Sequence, residues 1–381
     1  MKEITVSRLE AGQRFDKYLI KCLPNAGKSF LYKMMRKKNI TLNGKKADGS
    51  EKINSGDQIR LFFSDETYAK FSGDASFTSS DSIDDEHKHS NSASQNGNAQ
   101  NGNQENKNKQ YRNNQNNNSQ NGIQSVDFYK KLRPISVIYE DDDILIVNKP
   151  SGMLSQKADK KDISLVEYIT AHLLSNSSVT MEDLKTFHPG ICNRLDRNTS
   201  GIVIAGKSIQ GLQEMTLALK ERTMHKYYIC LVAGHITKRQ LIKGFLHKDE
   251  KTNKVTIYPT DQKDLPEGSL PIETEYMPVC GNERITFLKV NLITGRSHQI
   301  RAHLSSVGHP IIGDTKYGVS TKNRHYQEQY KIRNQMLHAY EIDIPDRNLN
   351  LHTPIPDEFS KVIKGEDLWE PGIPEALEAL H

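Results

Sequence analysis

A polar stretch from residue 66 to about 125 sets the first limit on what this chain can become. It consists of Ser, Asn, Gln, Gly and charged residues, with runs such as Asn113-Asn114-Gln115-Asn116-Asn117-Asn118. So few apolar groups cannot bury enough surface to offset the entropy of fixing the backbone. The stretch predicts a disordered linker over residues 64–126, with a typical end-to-end distance on the order of 40 Å. Ordered structure must then come from two separate regions, 1–63 and 127–381. Hydrophobic residues make up 35% of the 381, below the usual near-half of a globular chain. The deficit is concentrated in the linker, so the remainder can still pack a core.

Residues 1–63 carry 14 Lys and Arg against 6 Asp and Glu. A small domain with that excess is the footprint of a polyanion binder. Phe15, Leu19 and Cys22 repeat at helical spacing. A second helix beginning near Ser29 would turn Leu31, Met34 and Met35 inward and leave Lys33, Arg36 and Lys37 on another face. Ile40-Thr41-Leu42 then meets Asn43-Gly44, a strong hairpin signal, and Gln58–Phe62 reads as a later strand. The cationic surface this predicts is lined by Arg36, Lys37, Lys38, Lys45 and Lys46.

Beyond residue 127 apolar periodicity returns. Strands are predicted at Ile144–Val147, Ile202–Ala205, Tyr227–Val232, Arg284–Leu292 and Glu341–Ile344. Helices are predicted at Leu165–Leu174 and Ser208–Lys220, with another just after Gly295. Helices are interspersed among strands without strict alternation. That predicts an α+β fold with a mixed, mainly antiparallel sheet. Cys22, Cys192, Cys230 and Cys280 are scattered and form no C-x-x-C pair. They suggest neither a disulfide framework nor zinc, and a reduced, cytoplasmic setting is expected. The start Met1-Lys2-Glu3-Ile4 is not expected to act as a signal peptide, and with no run of about 18 apolar residues no membrane association is expected.

Three segments carry candidate chemistry. In Asn193-Arg194-Leu195-Asp196-Arg197-Asn198-Thr199-Ser200-Gly201 a carboxylate stands between two arginines, and neighbouring cations favour a carboxylate's charged form. Thr294-Gly295-Arg296-Ser297-His298-Gln299-Ile300-Arg301-Ala302-His303 places Arg296 and Arg301 around a helix start, an arrangement suited to an anion. His225-Lys226-Tyr227-Tyr228 opens a strand and could hold a flat ring and a phosphate. His298, His303 and His309 lack Cys or acidic companions at zinc-like spacing, so no metal site is expected.

With Val147-Asn148-Lys149-Pro150-Ser151-Gly152-Met153 and the extension Gly308–Gly318, these blocks resemble the RluA-type pseudouridine synthases, in particular the branch acting on large-subunit ribosomal RNA. The likeness spans roughly residues 139–345, in family order. Residues 1–63 resemble the S-four-type RNA-binding domain through Arg14-Phe15-Asp16-Lys17-Tyr18-Leu19 and Asn39–Lys45. The first resemblance implies that Asp196 is the essential aspartate and that Tyr228 stacks on the target base. It further implies that Arg296 pairs with Asp196, that Arg194 helps displace the base, and that Ile300 packs near it. Arg197, Lys226 and Arg301 join them as RNA contacts. Asn193 and Asn198 depart from the family, which often has His and Asp there.

The reaction implied is an isomerisation with no redox change and no imported group. No cofactor is therefore expected, in keeping with the lack of a dinucleotide or Walker-type motif. The expected partner is RNA, ribosomal RNA in particular, and the expected state is a monomer. The competing reading is a ribosome-binding or assembly factor that keeps the fold without the activity.

Overall fold

The computed structural model describes residues 1–72 and 124–368, together with positions 372, 373 and 377. They fall into two compact units. One is made chiefly of Met1–Ser7 and Gln13–Val126, the other chiefly of Asp127–Asp183 and Phe187–His381.

In the first unit, β1 (Lys2–Thr5), β2 (Ile40–Leu42), β3 (Lys45–Lys46) and β4 (Gln58–Leu61) form an antiparallel sheet in the order β1-β4-β2-β3. The helices Phe15–Cys22 and Lys28–Arg36 supply Phe15, Leu19, Leu31 and Met35 to a core shared with Ile40 and Ile59. The second helix starts one residue before the expected Ser29. Asn43 and Gly44 both adopt positive φ, as a tight two-residue hairpin turn demands. Arg36, Lys37, Lys38 and Lys45 are all exposed.

Order does not end at residue 63. A helix, Asp65–Ser72, brings Tyr68 and Phe71 onto the same core, and the Phe71 ring lies 4.6 Å from that of Phe30. Two aromatics three positions apart give this short segment an apolar face that its polar composition conceals. At its other end the linker stops short of Val126, which opens the helix Val126–Lys130. The rest of the expected linker, 73–123, lies outside the described residues.

The second unit is built on an 11-stranded sheet. Its strands are β5 (Ser136–Glu140), β6 (Ile144–Lys149), β7 (Gly190–Ile191), β8 (Ser200–Gly206), β9 (His225–Ala233), β10 (Gln240–Asp249), β11 (Lys254–Tyr258), β12 (Leu270–Gly281), β13 (Ile285–Asn291), β14 (Leu337–Ile344) and β15 (Leu349–His352). The order is β11-β10-β12-β13-β9-β14-β8-β6-β5, with β15 on β14 and β7 on β8. The Ile-Leu-Ile-Val run of β6 is fully buried, as a central strand covered on both faces should be. The expected helices form as Leu165–Ser175 and Ile209–Glu221, and Ser208 caps the second by accepting from the Gly211 N–H at 3.0 Å.

No strand was expected between residues 240 and 281, where β10 to β12 extend the sheet. Their pattern is period two: Ile242 and Leu246 are buried while Leu241 and Lys243 face outward. Lys243 and His247 in β10, and Glu273 and Glu275 in β12, interrupt what would otherwise read as apolar strands. The helices Ser320–Tyr330 and Asp357–Gly365 were likewise not expected.

The joint between β8 and β14 is parallel, while the other strand pairings of this sheet are antiparallel. At this joint Gly201 has φ +111°, and a Cβ there would lie 2.2 Å from the Ala339 carbonyl oxygen. Only glycine satisfies both demands. The joint is braced by His338, whose ring nitrogens meet Ser200 Oγ at 2.8 Å and Thr353 Oγ1 at 2.5 Å. Among the described residues no helix is long and apolar enough to cross a membrane.

Burial pushes the His338 imidazole down to about 3 and that of His303 down to about 4. Both rings stay neutral in the folded protein well below the ordinary histidine value. The unfolded chain binds their protons near pH 6.5, so stability is lost as pH falls from there toward the folded values. Unfolding at pH 5 is expected to take up roughly one to two more protons than at pH 8, because buried Lys149, held down to about 8, itself gains part of a proton on unfolding at the higher pH; calorimetry in buffers of different ionisation enthalpy measures the difference. Equal uptake at both pH values would contradict this.

Candidate active site

Asp196 projects from the loop between β7 and β8, and its neighbours on either side are fixed by backbone bonds. Leu195 exchanges two bonds with Ser155: its N–H reaches Ser155 Oγ at 3.1 Å, and the same hydroxyl donates to its carbonyl at 2.7 Å. The Arg197 carbonyl accepts from the Gly152 N–H at 2.9 Å, and Arg197 Nε donates to the Gly152 carbonyl at 3.1 Å. Ser151 Oγ donates to the Asn198 carbonyl at 2.9 Å. Asn193 ties the start of the loop to β8, donating to Ile202 O and accepting from the Ile204 N–H.

Lys149 secures the same junction from beneath. Its side chain is fully buried, and Nζ donates to the carbonyls of Pro150, Met153 and Arg197 at 3.0, 2.9 and 3.1 Å. All three ammonium protons have an acceptor. Burial pulls this lysine down to about 8, and the charge of Asp196 opposes that pull.

The opposite wall comes from the turn after β13 and the helix Gln299–Ser306. Buried Gln299 organises the turn: its amide oxygen accepts from Thr294 Oγ1 and the Arg296 N–H, and its amide nitrogen donates to Glu273 O and Thr274 Oγ1. Two residues further along the helix, Arg301 points back at the loop. Its Nη1 lies 2.7 Å from Asp196 Oδ2, while Nε and Nη2 make a two-pronged contact with Asp314 at 2.7 and 2.9 Å. The Asp314 side chain is 0% exposed, Arg301 8% and Asp196 27%. Burial works against the Arg301 charge, but the two carboxylates outweigh it and hold the guanidinium above its ordinary value. Asp314 is in turn bonded by the N–H groups of Lys316 and Tyr317. Asp196 is thus the exposed end of a chain of fixed charges, with a cleft of about 1400 Å³ in front of it.

Tyr228, on β9, is buried with its ring lining that cleft. Burial first, and then the charge of Asp196, raise the phenol far above the ordinary tyrosine value, so the hydroxyl keeps its proton. Ile300 is buried and lines the same cleft. At one corner stand Lys226 and Arg222. Burial lowers the Lys226 pKa, and the Arg222 charge lowers it further. Among the described residues neither takes part in an ion pair, so an anion placed there would relieve both.

Residues 143–306 match the sequence model of a family described as RNA pseudouridylate synthase. The chain is 26% identical over 385 residues to a ribosomal large subunit pseudouridine synthase C of Pasteurella multocida, covering 95% of this chain and 93% of that one. It is 27% identical over 237 residues to a ribosomal large subunit pseudouridine synthase D of Nitrosomonas europaea, covering 61% and 65%. Among solved structures the fold is similar to human RNA pseudouridylate synthase domain containing 4, at TM-score 0.53 and 21% identity over 65% of this chain and 98% of that one. The chain belongs to the RluA-type RNA pseudouridylate synthases.

In this pseudouridylate synthase the residues singled out in the sequence do not all take the places expected. Asp196, Tyr228, Ile300, Lys226 and Arg301 converge on the cleft, and Arg194, Arg197 and Arg296 line it from exposed positions. The expected ion pair between Asp196 and Arg296 is not formed. Arg296 lies on the turn before the helix and is exposed, whereas Arg301 is a helical residue directed back at the loop. Arg301 is therefore part of the charge chain at Asp196. Arg36, Lys37, Lys38 and Lys45 belong to the other unit. The three histidines serve different partners: His298 meets Tyr317, His303 meets Thr274 and His309 meets Ala233 O.

Asp314, Tyr317, Gln299 and Lys149 received no role from the sequence, although each sat in a block that had been noted. Their importance lies in pairings across 13 to 62 positions, which spacing along the chain does not reveal. Asp314→Asn removes the buried counter-charge of Arg301 and is expected to destabilise the fold by about 3 kcal/mol in denaturant unfolding. It should also slow uridine conversion at least about tenfold by freeing the guanidinium from its mount. Wild-type stability and rate in this variant would contradict the positioning role.

Proposed function

We propose that this protein converts uridines of structured RNA, in particular large-subunit ribosomal RNA, to pseudouridine, with Asp196 acting at the ribose of an extruded nucleotide. The observation that carries this reading is a part-exposed carboxylate fixed by Arg301 at the floor of an open cleft, with the Tyr228 ring in the same cleft. The named relatives support the substrate class.

The bond between the anomeric carbon and the ring nitrogen cannot be reached in a stacked helix, so the nucleotide must be swung out. Unstacking costs a few kcal/mol, and an aromatic platform returns about 1–3 kcal/mol per base. Tyr228 is the platform, and the apolar side chain of Ile300 closes the slot. As the glycosidic bond breaks, positive charge grows on the sugar. An ionised carboxylate in a fixed position opposes that charge more effectively than water, because it need not reorganise. Arg301 holds one oxygen of Asp196 and leaves Oδ1 toward the cleft. Arg194, Arg197, Lys226 and Arg296, with Arg222, provide cations for the flanking phosphates. Such contacts fix register and affinity, not sequence.

The basic N-terminal unit adds a second RNA contact in this reading. Its exposed Arg36, Lys37, Lys38 and Lys45 suit phosphates and RNA shape, in keeping with the S-four-type pattern.

Asp196→Ala is expected to fold, to bind RNA within about twofold of wild type, and to form no pseudouridine in mapped ribosomal RNA. Normal modification by this variant would overturn the assignment. An inactive wild type that binds ribosomes would instead favour the assembly-factor reading. Removing residues 1–72 is expected to weaken RNA binding and to flatten the slope of log affinity against log salt by about one for each phosphate no longer neutralised. An unchanged slope would remove the N-terminal unit from the RNA interface.

A further inference from the structure

We infer that His298 is a further substrate-contacting residue, donating a hydrogen bond from Nε2 to the uracil ring as that ring leaves the sugar. This rests on the function proposed above. Tyr317 sets the tautomer of the histidine. Its hydroxyl oxygen accepts from the Val255 N–H at 3.0 Å and lies 2.9 Å from His298 Nδ1. A phenol has one proton to give, and among the described residues the acceptor within its reach is Nδ1. With Nδ1 accepting, the proton of the neutral imidazole sits on Nε2.

That nitrogen faces the reaction centre. Nε2 lies 3.9 Å from Asp196 Oδ1, the carboxylate oxygen that Arg301 does not hold. The separation is too long for a hydrogen bond. Among the described residues no acceptor lies within reach of Nε2, although the side chain is only 11% exposed. A donor fixed from behind and unpaired in front is aimed at something that enters the cleft. The backbone points the same way: His298 has φ +56°, a conformation uncommon for a side-chain-bearing residue and concentrated at functional sites.

Burial holds this imidazole below its ordinary value; Asp196 and Asp314 pull it up, while Arg301 and Lys316 push it down. The neutral form is the useful one. When the glycosidic bond breaks, its electron pair goes to the ring nitrogen. The uracil then carries a negative charge spread over that nitrogen and the carbonyl oxygens, while the sugar carries the positive charge facing Asp196. A neutral N–H stabilises the ring anion and leaves the carboxylate charge intact. An imidazolium would pair with Asp196 instead. His298 keeps its proton throughout; the proton lost from carbon five and the one gained by the ring nitrogen balance within the isomerisation.

The test is single-turnover conversion and RNA affinity for His298→Asn, His298→Gln and Tyr317→Phe. Asn tolerates the left-handed backbone but its amide reaches only the Nδ1 position, whereas the Gln amide nitrogen reaches the Nε2 position. His298→Asn should lose about 100-fold in rate with affinity within about twofold. His298→Gln should recover at least about tenfold of that loss, and Tyr317→Phe should fall between wild type and His298→Asn by freeing the tautomer. A wild-type rate in His298→Asn, no recovery in His298→Gln, or a loss confined to affinity would overturn the inference. If the wild type itself makes no pseudouridine, the proposed function falls; if it is active and His298→Asn is equally fast, only this inference falls.

Discussion

The site depends on one shared guanidinium. Arg301 directs two of its nitrogens at buried Asp314 and the third at Asp196. A single carboxylate opposite an arginine can swing with it. A second carboxylate, itself fixed by the N–H groups of Lys316 and Tyr317, removes that freedom. The geometry at Asp196 is thus inherited from a residue 118 positions away, through the rigid fork of one arginine. A lysine in place of Arg301 could not hold both partners in fixed directions.

The fold supplies the other half of the constraint. Asp196 stands on a loop whose flanking residues are bonded to the segment after β6, while the loop runs directly into β8. β8 in turn lies against β14 at the parallel joint that Gly201 alone permits. β9, which carries Tyr228, lies on the other side of β14. The carboxylate and the aromatic ring therefore take their separation from the sheet. Asn193 takes part in this by bonding two β8 backbone groups. Its departure from the family's usual histidine leaves the loop anchored.

The sequence exposed some of this clearly and hid the rest for physical reasons. The apolar runs of β6 and β8 and the amphipathic helices of the N-terminal unit are local signals, and they appear where expected. β10 to β12 stayed hidden because charged residues, lysines in β10 and glutamates in β12, alternate with their buried residues. The helix Asp65–Ser72 was hidden by its polar surroundings. At the site, Asp196 and Tyr228 could be named from their motifs, but the partner of Asp196 could not. Arg296 and Arg301 are five residues apart in one block, and which of them reaches the loop depends on where the helix begins. The left-handed turn at His298 decides that, and nothing in the composition of the block announces it.

A double-mutant cycle joining Arg301 and Asp314 tests the shared-guanidinium account most directly, with single-turnover pseudouridine formation as the readout. If Asp314 acts through Arg301, then Arg301→Gln, and the same change combined with Asp314→Asn, should be equally slow, giving a coupling of at least about 1.4 kcal/mol. Additive losses in the double variant would show that the two residues act separately, and would contradict the account.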